Sequence, residues 1–285
     1  MHVLVTGARG MLGSELLLCP PAGCTVAGVD LDDGDLTDEA TALRLVATHA
    51  PQVVFHCAAW TDVDGCTRDP GRAMRINGEA TAHVTAACRA VGARLIYLST
   101  DYVFAGDLER PYDEADTPRP LNPYGASKLA GERAVADLPN HVIVRTQWLY
   151  GPGGKNFIAT IVRAARTRGQ LRVVADEWGS PTYARDLAAG LWQLVQTDAT
   201  GIVHLTNSQI CSWYELAIYA TGVAGVEVAI EPISARDWDS PTVRPGYSPL
   251  GGRRWRELGL APLRPWPEAV AEYVREHLSE EPMLP

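Results

Sequence analysis

Short apolar segments alternate with longer amphipathic ones through the N-terminal half of the chain. The apolar segments are rich in β-branched residues and have the length of buried strands; they are His2–Thr6, Thr25–Val29, Gln52–His56, Arg94–Leu98 and Val142–Arg145. The amphipathic segments between them predict helices at Met11–Leu18, Glu39–His49, Gly71–Val91 and Tyr124–Leu138. Strands and helices that alternate in this way form right-handed βαβ units. The pattern therefore predicts an α/β fold with a doubly wound parallel sheet.

The pattern changes near residue 150, where Pro, Gly and Trp become frequent. Shorter strands are predicted there at Leu171–Val174, Ile202–Leu205 and Val228–Ile230. A long surface loop, an amphipathic helix and a frayed tail are expected at Pro232–Pro249, Pro267–Leu278 and Ser279–Pro285. We expect one domain over residues 1–150, and over 151–285 mainly a smaller interleaved α/β cap, some of whose segments return to the sheet.

Composition excludes several classes of protein. The 285 residues are 46% hydrophobic and 21% charged, as in a globular protein. The net charge of −9 is spread without a basic stripe, which argues against a nucleic-acid partner. The six cysteines show no metal-ligand spacing, and neither a signal peptide nor an apolar run of about 20 residues is present. These features predict a cytoplasmic protein with no membrane partner.

Lysine is scarce in this chain. Of the 25 basic residues, 23 are arginine, and the two lysines are Lys128 and Lys155. An ammonium kept in such a background suggests a position where a guanidinium does not substitute.

A glycine-rich turn follows the first predicted strand and opens the first predicted helix. Its glycines, Gly7, Gly10 and Gly13, have the spacing G-x-x-G-x-x-G, with Arg9, Met11 and Leu12 between them. Glycines at this place let the backbone approach a pyrophosphate at the positive end of the helix. The turn predicts a Rossmann-like, dinucleotide-binding domain over residues 1–150.

Two residues near this turn give opposite indications about the cofactor. Asp30 ends the second predicted strand, where a carboxylate accepts the ribose hydroxyls of NADH and disfavours a 2′-phosphate. Arg9 is able to pair with the 2′-phosphate of NADPH. The sequence leaves NADPH and NADH open as cofactors.

A tyrosine and a lysine stand four residues apart at the start of the fourth helix. Tyr124 and Lys128 lie on one face of that helix, where an ammonium is expected to lower the pKa of the phenol towards neutrality. The fourth strand ends in Ser99-Thr100-Asp101-Tyr102-Val103-Phe104, at the sheet edge where α/β proteins bind ligands. Together these residues predict a site for acid–base chemistry.

At this point the chain resembles the extended short-chain dehydrogenase/reductase superfamily, and more closely the dTDP-4-dehydrorhamnose reductase family. The resemblance spans nearly the whole chain. Its most specific motifs are S-T-D-Y-V-F at Ser99–Phe104 and N-P-Y-G-x-S-K-x-x-G-E at Asn122–Glu132. Further matching blocks are Cys57–Asp64, Arg145–Gly151, Asn156-Phe157 and Trp178–Thr182.

The resemblance implies a reaction, its catalytic residues and its ligand contacts. It implies NAD(P)H-dependent reduction of the C4 keto group of dTDP-4-dehydro-6-deoxy-L-mannose to dTDP-L-rhamnose, with the cap of residues 151–285 binding the substrate. Tyr124 would protonate the carbonyl oxygen, Lys128 would hold the nicotinamide ribose, and Thr100 would orient the carbonyl. Further cofactor contacts are Asp35, Leu36, Ala58 and Ala59, and substrate contacts are Thr61, Val63, Thr100, Asp101, Tyr102 and Trp148.

Alternatives stay open within this resemblance. The same residues serve a 4-ketoreductase for another dTDP-4-keto-deoxysugar in natural-product biosynthesis. A non-catalytic regulatory subunit, similar to the β-subunit of methionine adenosyltransferase, is a third interpretation. Asn77 matches an asparagine that supports a water chain to the lysine, and it also fits a plain helix-face residue.

No metal is expected, because Arg185 stands where some relatives place a carboxylate that, with Glu15, binds magnesium at a dimer contact. That departure leaves a homodimer as an open question. Trp213 and three other C-terminal tryptophans are interpreted as packing residues.

Overall fold

The computed structural model describes residues 1–279, and residues 280–285 of the predicted tail lie outside the described part. Fourteen strands occur in residues 1–279: β1 His2–Thr6, β2 Thr25–Val29, β3 Val53–His56, β4 Arg94–Thr100, β5 His141–Thr146, β6 Leu149–Tyr150, β7 Gln170–Val174, β8 Trp178–Gly179, β9 Thr182–Tyr183, β10 Gly201–His204, β11 Asn207–Ser208, β12 Cys211–Ser212, β13 Ala229–Ile233 and β14 Leu263–Pro265.

The helices alternate with these strands. In the same described part they are α1 Met11–Leu18, α2 Glu39–His49, α3 Val63–Arg68, α4 Pro70–Ala73, α5 Ala80–Val91, α6 Pro123–Ala136, α7 Phe157–Thr167, α8 Ala184–Leu194, α9 Trp213–Val223, α10 Arg253–Glu257 and α11 Trp266–His277. A π-helical segment, Met74–Glu79, joins α4 to α5, and 3₁₀ turns lie at Asp101–Val103 and Ala235–Asp237.

The central sheet has six strands, all parallel, in the order β10-β5-β4-β3-β1-β2. The chain moves outward from β1 to β2 and then crosses back to β3 on the other side of β1. This reversal opens a crevice at the carboxyl ends of β1 and β3, where doubly wound sheets bind nucleotides. The predicted doubly wound α/β fold is confirmed.

Successive residues of the sheet strands pack into two different cores. Val3 and Val5 face a core completed by α1 and α8, with Leu16 and Leu191 among its buried residues. Leu4 points to the opposite core, formed with α2 and α5. Burial on both faces explains why these strands are continuous apolar runs rather than alternating ones.

The cap is built from much smaller pieces of sheet. Four two-stranded ladders, β7–β13, β8–β12, β6–β9 and β11–β14, occur outside the central sheet in residues 1–279. Helices α7, α9 and α11 pack around a separate apolar core rich in aromatic residues. Strand β10 and helix α8 belong to the sheet and its core although they follow residue 150. The division at residue 150 stays a prediction.

Several local features differ from the sequence predictions. The predicted helix Gly71–Val91 contains the π-helical segment, and β4 continues two residues beyond Leu98 to Thr100. The two-residue strands β6, β8, β9, β11 and β12 were not predicted, because each pairs with a distant segment and is too short to show a periodicity. Among residues 1–279, no helix combines the length and apolar character needed to cross a bilayer.

Candidate functional site

Two adjoining cavities lie at the carboxyl edge of the sheet. The larger, of about 550 Å³, runs along the ends of β1 and β2, and the second, of about 410 Å³, extends beneath the cap. Both are lined by Gly7, Gly10, Cys57 and Ala59. We call them the outer cavity and the inner cavity. The predicted site residues all line one or both of them, except Arg9.

The glycine turn forms the wall between the cavities. Gly7 has φ +67°, and a Cβ there would lie 2.7 Å from the backbone nitrogen of Ala58. Only glycine therefore permits the close approach of this turn to the segment after β3. No side chain caps the N-terminus of α1, whose first residues, Met11, Leu12 and Gly13, line the inner cavity. Backbone N–H groups at such a helix end fit a pyrophosphate.

The outer cavity carries the predicted adenosine contacts. Asp30, Asp35, Leu36 and Ala58 line it. Both carboxylate oxygens of Asp30 accept backbone N–H bonds, from Arg9 at 2.8 Å and from Leu31 at 2.9 Å. This carboxylate therefore also fixes the shape of the glycine turn.

The arginines that line the outer cavity are not the one that the sequence suggested. The Arg9 guanidinium pairs with Asp32 at 2.7 Å and is absent from the lining described for this cavity. Arg72 and Arg75, which sequence reasoning did not single out, contribute to the lining instead. Arg72 lies over the ring of Trp60, 4.5 Å from its centroid.

The predicted catalytic residues meet in the inner cavity. Thr100 ends the buried strand β4, and Tyr124 and Lys128 lie one turn apart on α6. The Asn122 side chain caps this helix by accepting the N–H of Gly125 at 2.9 Å, and Pro123 occupies its first position. The sequence thus starts α6 at the point that turns Tyr124 and Lys128 towards the end of β4.

Burial raises the pKa of Tyr124 above its ordinary value, and the nearby Asp101 carboxylate raises it further. The hydrogen bond with Thr100 acts in the opposite direction and is outweighed. The expectation that Lys128 lowers the pKa of this phenol is therefore not met in this structure, because desolvation dominates. A phenol with a raised pKa stays protonated at neutral pH, so Tyr124 carries its proton in this structure.

Burial lowers the pKa of Lys128 to about 7, against the opposing effect of the Glu132 carboxylate. Its ammonium lies over the ring of Tyr97, 4.2 Å from the centroid. A lysine with this pKa exchanges a proton near neutrality, which an arginine does not do.

Asp101 is buried, and both of its carboxylate oxygens accept hydrogen bonds from neighbouring side chains. Oδ1 accepts the Thr100 hydroxyl at 3.1 Å, and Oδ2 accepts Ser248 at 2.6 Å and Gln147 at 3.3 Å. Burial raises the pKa of this carboxyl to about 6. Asp101 lines the inner cavity, and it also joins β4 to the loop after β13.

The predicted sugar contacts also line the inner cavity. Val63 is the first residue of α3, and Thr61 lies two residues before it. The ring of Tyr102 meets that of Tyr124 edge to face, with centroids 5.5 Å apart. Trp148 has φ +47°, a strained conformation for a non-glycine residue. Residues held in this way cluster at ligand sites.

Trp213 was interpreted as a packing residue, and that interpretation is incomplete. Its ring stacks on Trp148 with centroids 3.5 Å apart, and it lines the inner cavity together with Phe157. The Trp213 indole N–H donates to Glu177 at 3.1 Å. No local signal in the sequence marks Trp213 as a neighbour of Trp148.

A buried polar cluster supports the carboxyl end of β4. Ser99 donates to Glu132 at 2.5 Å, and the guanidinium of Arg145 makes two hydrogen bonds to the same carboxylate, of 2.8 and 2.6 Å. Asn77, in the π-helical segment, bonds to the backbone of Trp60 and donates to Ser127 at 3.0 Å. Asn77 therefore links the backbone of Trp60, which lines the outer cavity, to α6.

Glu15 and Arg185 lie together outside the cavities, 3.8 Å apart. Arg185 also pairs with Glu272 and Glu276. In the part of the chain that the structure describes, no group of three or more His, Cys, Asp or Glu residues is arranged to hold a metal ion. The expectation that this protein binds no metal stays a prediction.

Comparison with known proteins places this site in a family. The family model described as the RmlD substrate binding domain matches residues 1–279. The chain is 45% identical to a dTDP-4-dehydrorhamnose reductase from Streptomyces griseus, over 94% of this chain and 91% of that one. It is 39% identical to a dTDP-4-keto-6-deoxy-D-glucose reductase from Streptomyces niveus, over 94% and 95% of the two chains.

A solved structure gives the same result. The dTDP-4-dehydrorhamnose reductase of Bacillus anthracis, determined in complex with NADP, superposes with a TM-score of 0.94 at 37% identity, covering 96% of this chain and 99% of that one. The predicted resemblance is confirmed, and the chain belongs to the RmlD family, which is the family of the dTDP-4-dehydrorhamnose reductases.

Proposed function

We propose that this protein is an NADPH- or NADH-dependent reductase that converts dTDP-4-dehydro-6-deoxy-L-mannose to dTDP-L-rhamnose. One observation carries the proposal: Thr100, Tyr124 and Lys128 line the same cavity as the glycine turn. A proton donor, a cation and a pyrophosphate cradle are what a nicotinamide-dependent carbonyl reduction requires. Relatives named for this reaction, and one solved with NADP, support it.

The cofactor, when bound, supplies a hydride to the carbonyl carbon. The N–H groups at the start of α1 bind its pyrophosphate, and Asp30 accepts from the adenosine ribose. Tyr124, which its raised pKa keeps protonated at neutral pH, gives its phenolic proton to the carbonyl oxygen. Thr100 orients the carbonyl. Lys128 holds the nicotinamide ribose and returns a proton to Tyr124, for which a pKa near 7 is suited.

The proposal assigns the sugar to the wall formed by Thr61, Val63, Tyr102 and Trp148. It assigns nucleotide binding mainly to residues 1–150 and substrate binding mainly to residues 151–285. It also assigns the chain to the cytoplasm, without nucleic-acid or membrane partners, and takes a homodimer as the assembly to be tested.

The test is reduced-nicotinamide oxidation by the purified protein with dTDP-4-dehydro-L-rhamnose formed in situ, run with NADPH and NADH in parallel. The expected result is turnover with dTDP-L-rhamnose as the product identified by NMR. The absence of turnover despite measurable cofactor binding contradicts the proposal.

A second candidate is reduction of a different dTDP-4-keto-deoxysugar. The Streptomyces niveus relative, named for dTDP-4-keto-6-deoxy-D-glucose, favours it with 39% identity over nearly the full length. Measuring kcat/KM for dTDP-4-dehydro-L-rhamnose and for dTDP-4-keto-6-deoxy-D-glucose in parallel separates the two candidates, because each predicts the higher value for its own substrate.

A further inference from the structure

Both lysines of this chain line the inner cavity, and none of the 23 arginines does in the lining that the structure describes. Lys128 is buried, and the proposed chemistry uses it. Lys155 is exposed, lies on the loop between β6 and α7, and belongs to the same lining. The proposed function gives Lys155 no role.

The loop that carries Lys155 packs on the glycine turn. A Cβ at Gly154 would lie 2.7 Å from Cγ of Met11, and one at Gly153 would lie 4.0 Å from the carbonyl oxygen of Arg9. Lys155 therefore projects from a segment that lies directly against the uncapped N-terminus of α1.

The backbone next to Lys155 is anchored. The side-chain amide of Asn156 donates to the carbonyl of Gly151 at 3.0 Å and to the hydroxyl of Tyr273 at 2.9 Å, while its oxygen caps α7. This anchoring holds the position of residue 155 at the cavity rim and leaves its side chain free to reach a ligand.

The ammonium of Lys155 has no partner among the residues that the structure describes. In residues 1–279, its ammonium makes no ion pair or hydrogen bond. Asp101 is the only acidic residue in the described lining of the inner cavity, and its oxygens are occupied by Thr100, Gln147 and Ser248. An unpaired ammonium beside a set of free backbone N–H groups makes this end of the cavity attractive to an anion.

We infer that Lys155 binds a diphosphate group in the inner cavity, beside the start of α1. This inference rests on the proposed function, which brings two diphosphates to this cavity: the diphosphate of the sugar nucleotide and the pyrophosphate of the cofactor. An ammonium on a flexible stem binds phosphate as a point charge and needs no fixed bidentate geometry.

The test is calorimetric titration of the wild-type protein and the Lys155→Gln variant with dTDP, thymidine and NADPH. Loss of a charge-assisted contact is expected to weaken binding of one diphosphate ligand about tenfold. Weaker binding of dTDP with NADPH unchanged assigns Lys155 to the sugar nucleotide, and the reverse assigns it to the cofactor. Thymidine, which lacks phosphate, is expected to bind both proteins equally.

The matched control is Arg163→Gln, which removes an exposed cation from α7 outside the cavity lining. It is expected to leave all three affinities unchanged. Equal affinities of wild type and Lys155→Gln for dTDP and NADPH, or an equal loss in both variants, overturn the inference. Failure of the wild-type protein to bind either nucleotide contradicts the proposed function itself.

Discussion

The six-stranded sheet and the cap position their cavity residues in different ways. Thr100 ends a seven-residue strand that is buried along its length and paired on both sides. Trp148 and Trp213 instead flank ladders of two residues each, β6–β9 and β8–β12, and depend on stacking and on side-chain hydrogen bonds. The carboxyl end of β4 is thus fixed by continuous backbone pairing, whereas the Trp148–Trp213 stack is fixed by individual side chains.

The two regions therefore differ in how strongly a single side chain determines the local geometry. Thr100 lies on the long ladder, where a single substitution is expected to change the backbone little. Trp148 and Trp213 lie beside short ladders, where one side chain has more influence on the local geometry. Substitutions in the two regions are therefore expected to affect stability and recognition separately.

The largest expected effect on stability is in the sheet region. Arg145→Met leaves the buried Glu132 carboxylate without its partner, and we expect a loss of about 3–5 kcal/mol in the free energy of unfolding. Urea denaturation measures it. Arg172→Met, which breaks an exposed pair with Glu231 in the cap, is the control and should cost less than about 1 kcal/mol. Equal losses of unfolding free energy in the two variants would contradict the expected difference between the sheet and the cap.

Asp101 links the two regions, and its titration is the next largest effect. Its pKa is about 6 in the folded protein against an ordinary 3.8, so the folded state retains this proton where the unfolded state has released it. Stability from this group is therefore present below about pH 4 and is lost as the pH rises through 6. Relative to Asp101→Asn, the wild type should lose roughly 2–3 kcal/mol between those limits.

Urea denaturation of both proteins at a series of pH values measures this effect as a difference between their slopes of unfolding free energy against pH. Any constant offset from altered hydrogen bonds to Ser248 and Gln147 cancels in the comparison. Parallel pH profiles for the two proteins would show that Asp101 does not titrate in this range.

The smallest of the expected effects is on the binding of the sugar nucleotide by the cap. Trp213→Ala removes the ring stacked on Trp148 and should raise the KM for the sugar nucleotide about tenfold, with kcat less changed. Steady-state kinetics at saturating NADPH measure it. Trp238→Ala, which removes a tryptophan with 52% of its surface exposed, is the control and should leave KM unchanged. A fall in kcat without a change in KM would place Trp213 in the catalytic region instead.

The same contrast determines what the sequence alone could predict. The strands of the sheet, the glycine turn and the spacing of Tyr124 and Lys128 are local patterns, and the structure contains each of them. The stacking of Trp213 on Trp148 joins residues far apart in the chain through two-residue ladders, which have no periodicity to detect.

The direction of the pKa shift of Tyr124 could not be predicted from the sequence either. The spacing of Tyr124 and Lys128 suggested a lowered phenol pKa, but the degree of burial, which reverses the direction, depends on the packed cavity. The scarcity of lysine did single out Lys155, and only the fold shows that it shares a cavity with Lys128.

The central claim is that Tyr124 supplies the proton for carbonyl reduction. Tyr124→Phe removes one hydroxyl and keeps the ring, so its turnover and its NADPH affinity should be measured on the same preparation. We expect kcat to fall about a hundredfold to ten-thousandfold while the Kd for NADPH stays within about twofold of wild type. Turnover within about tenfold of wild type would contradict the assignment of Tyr124 as the proton donor.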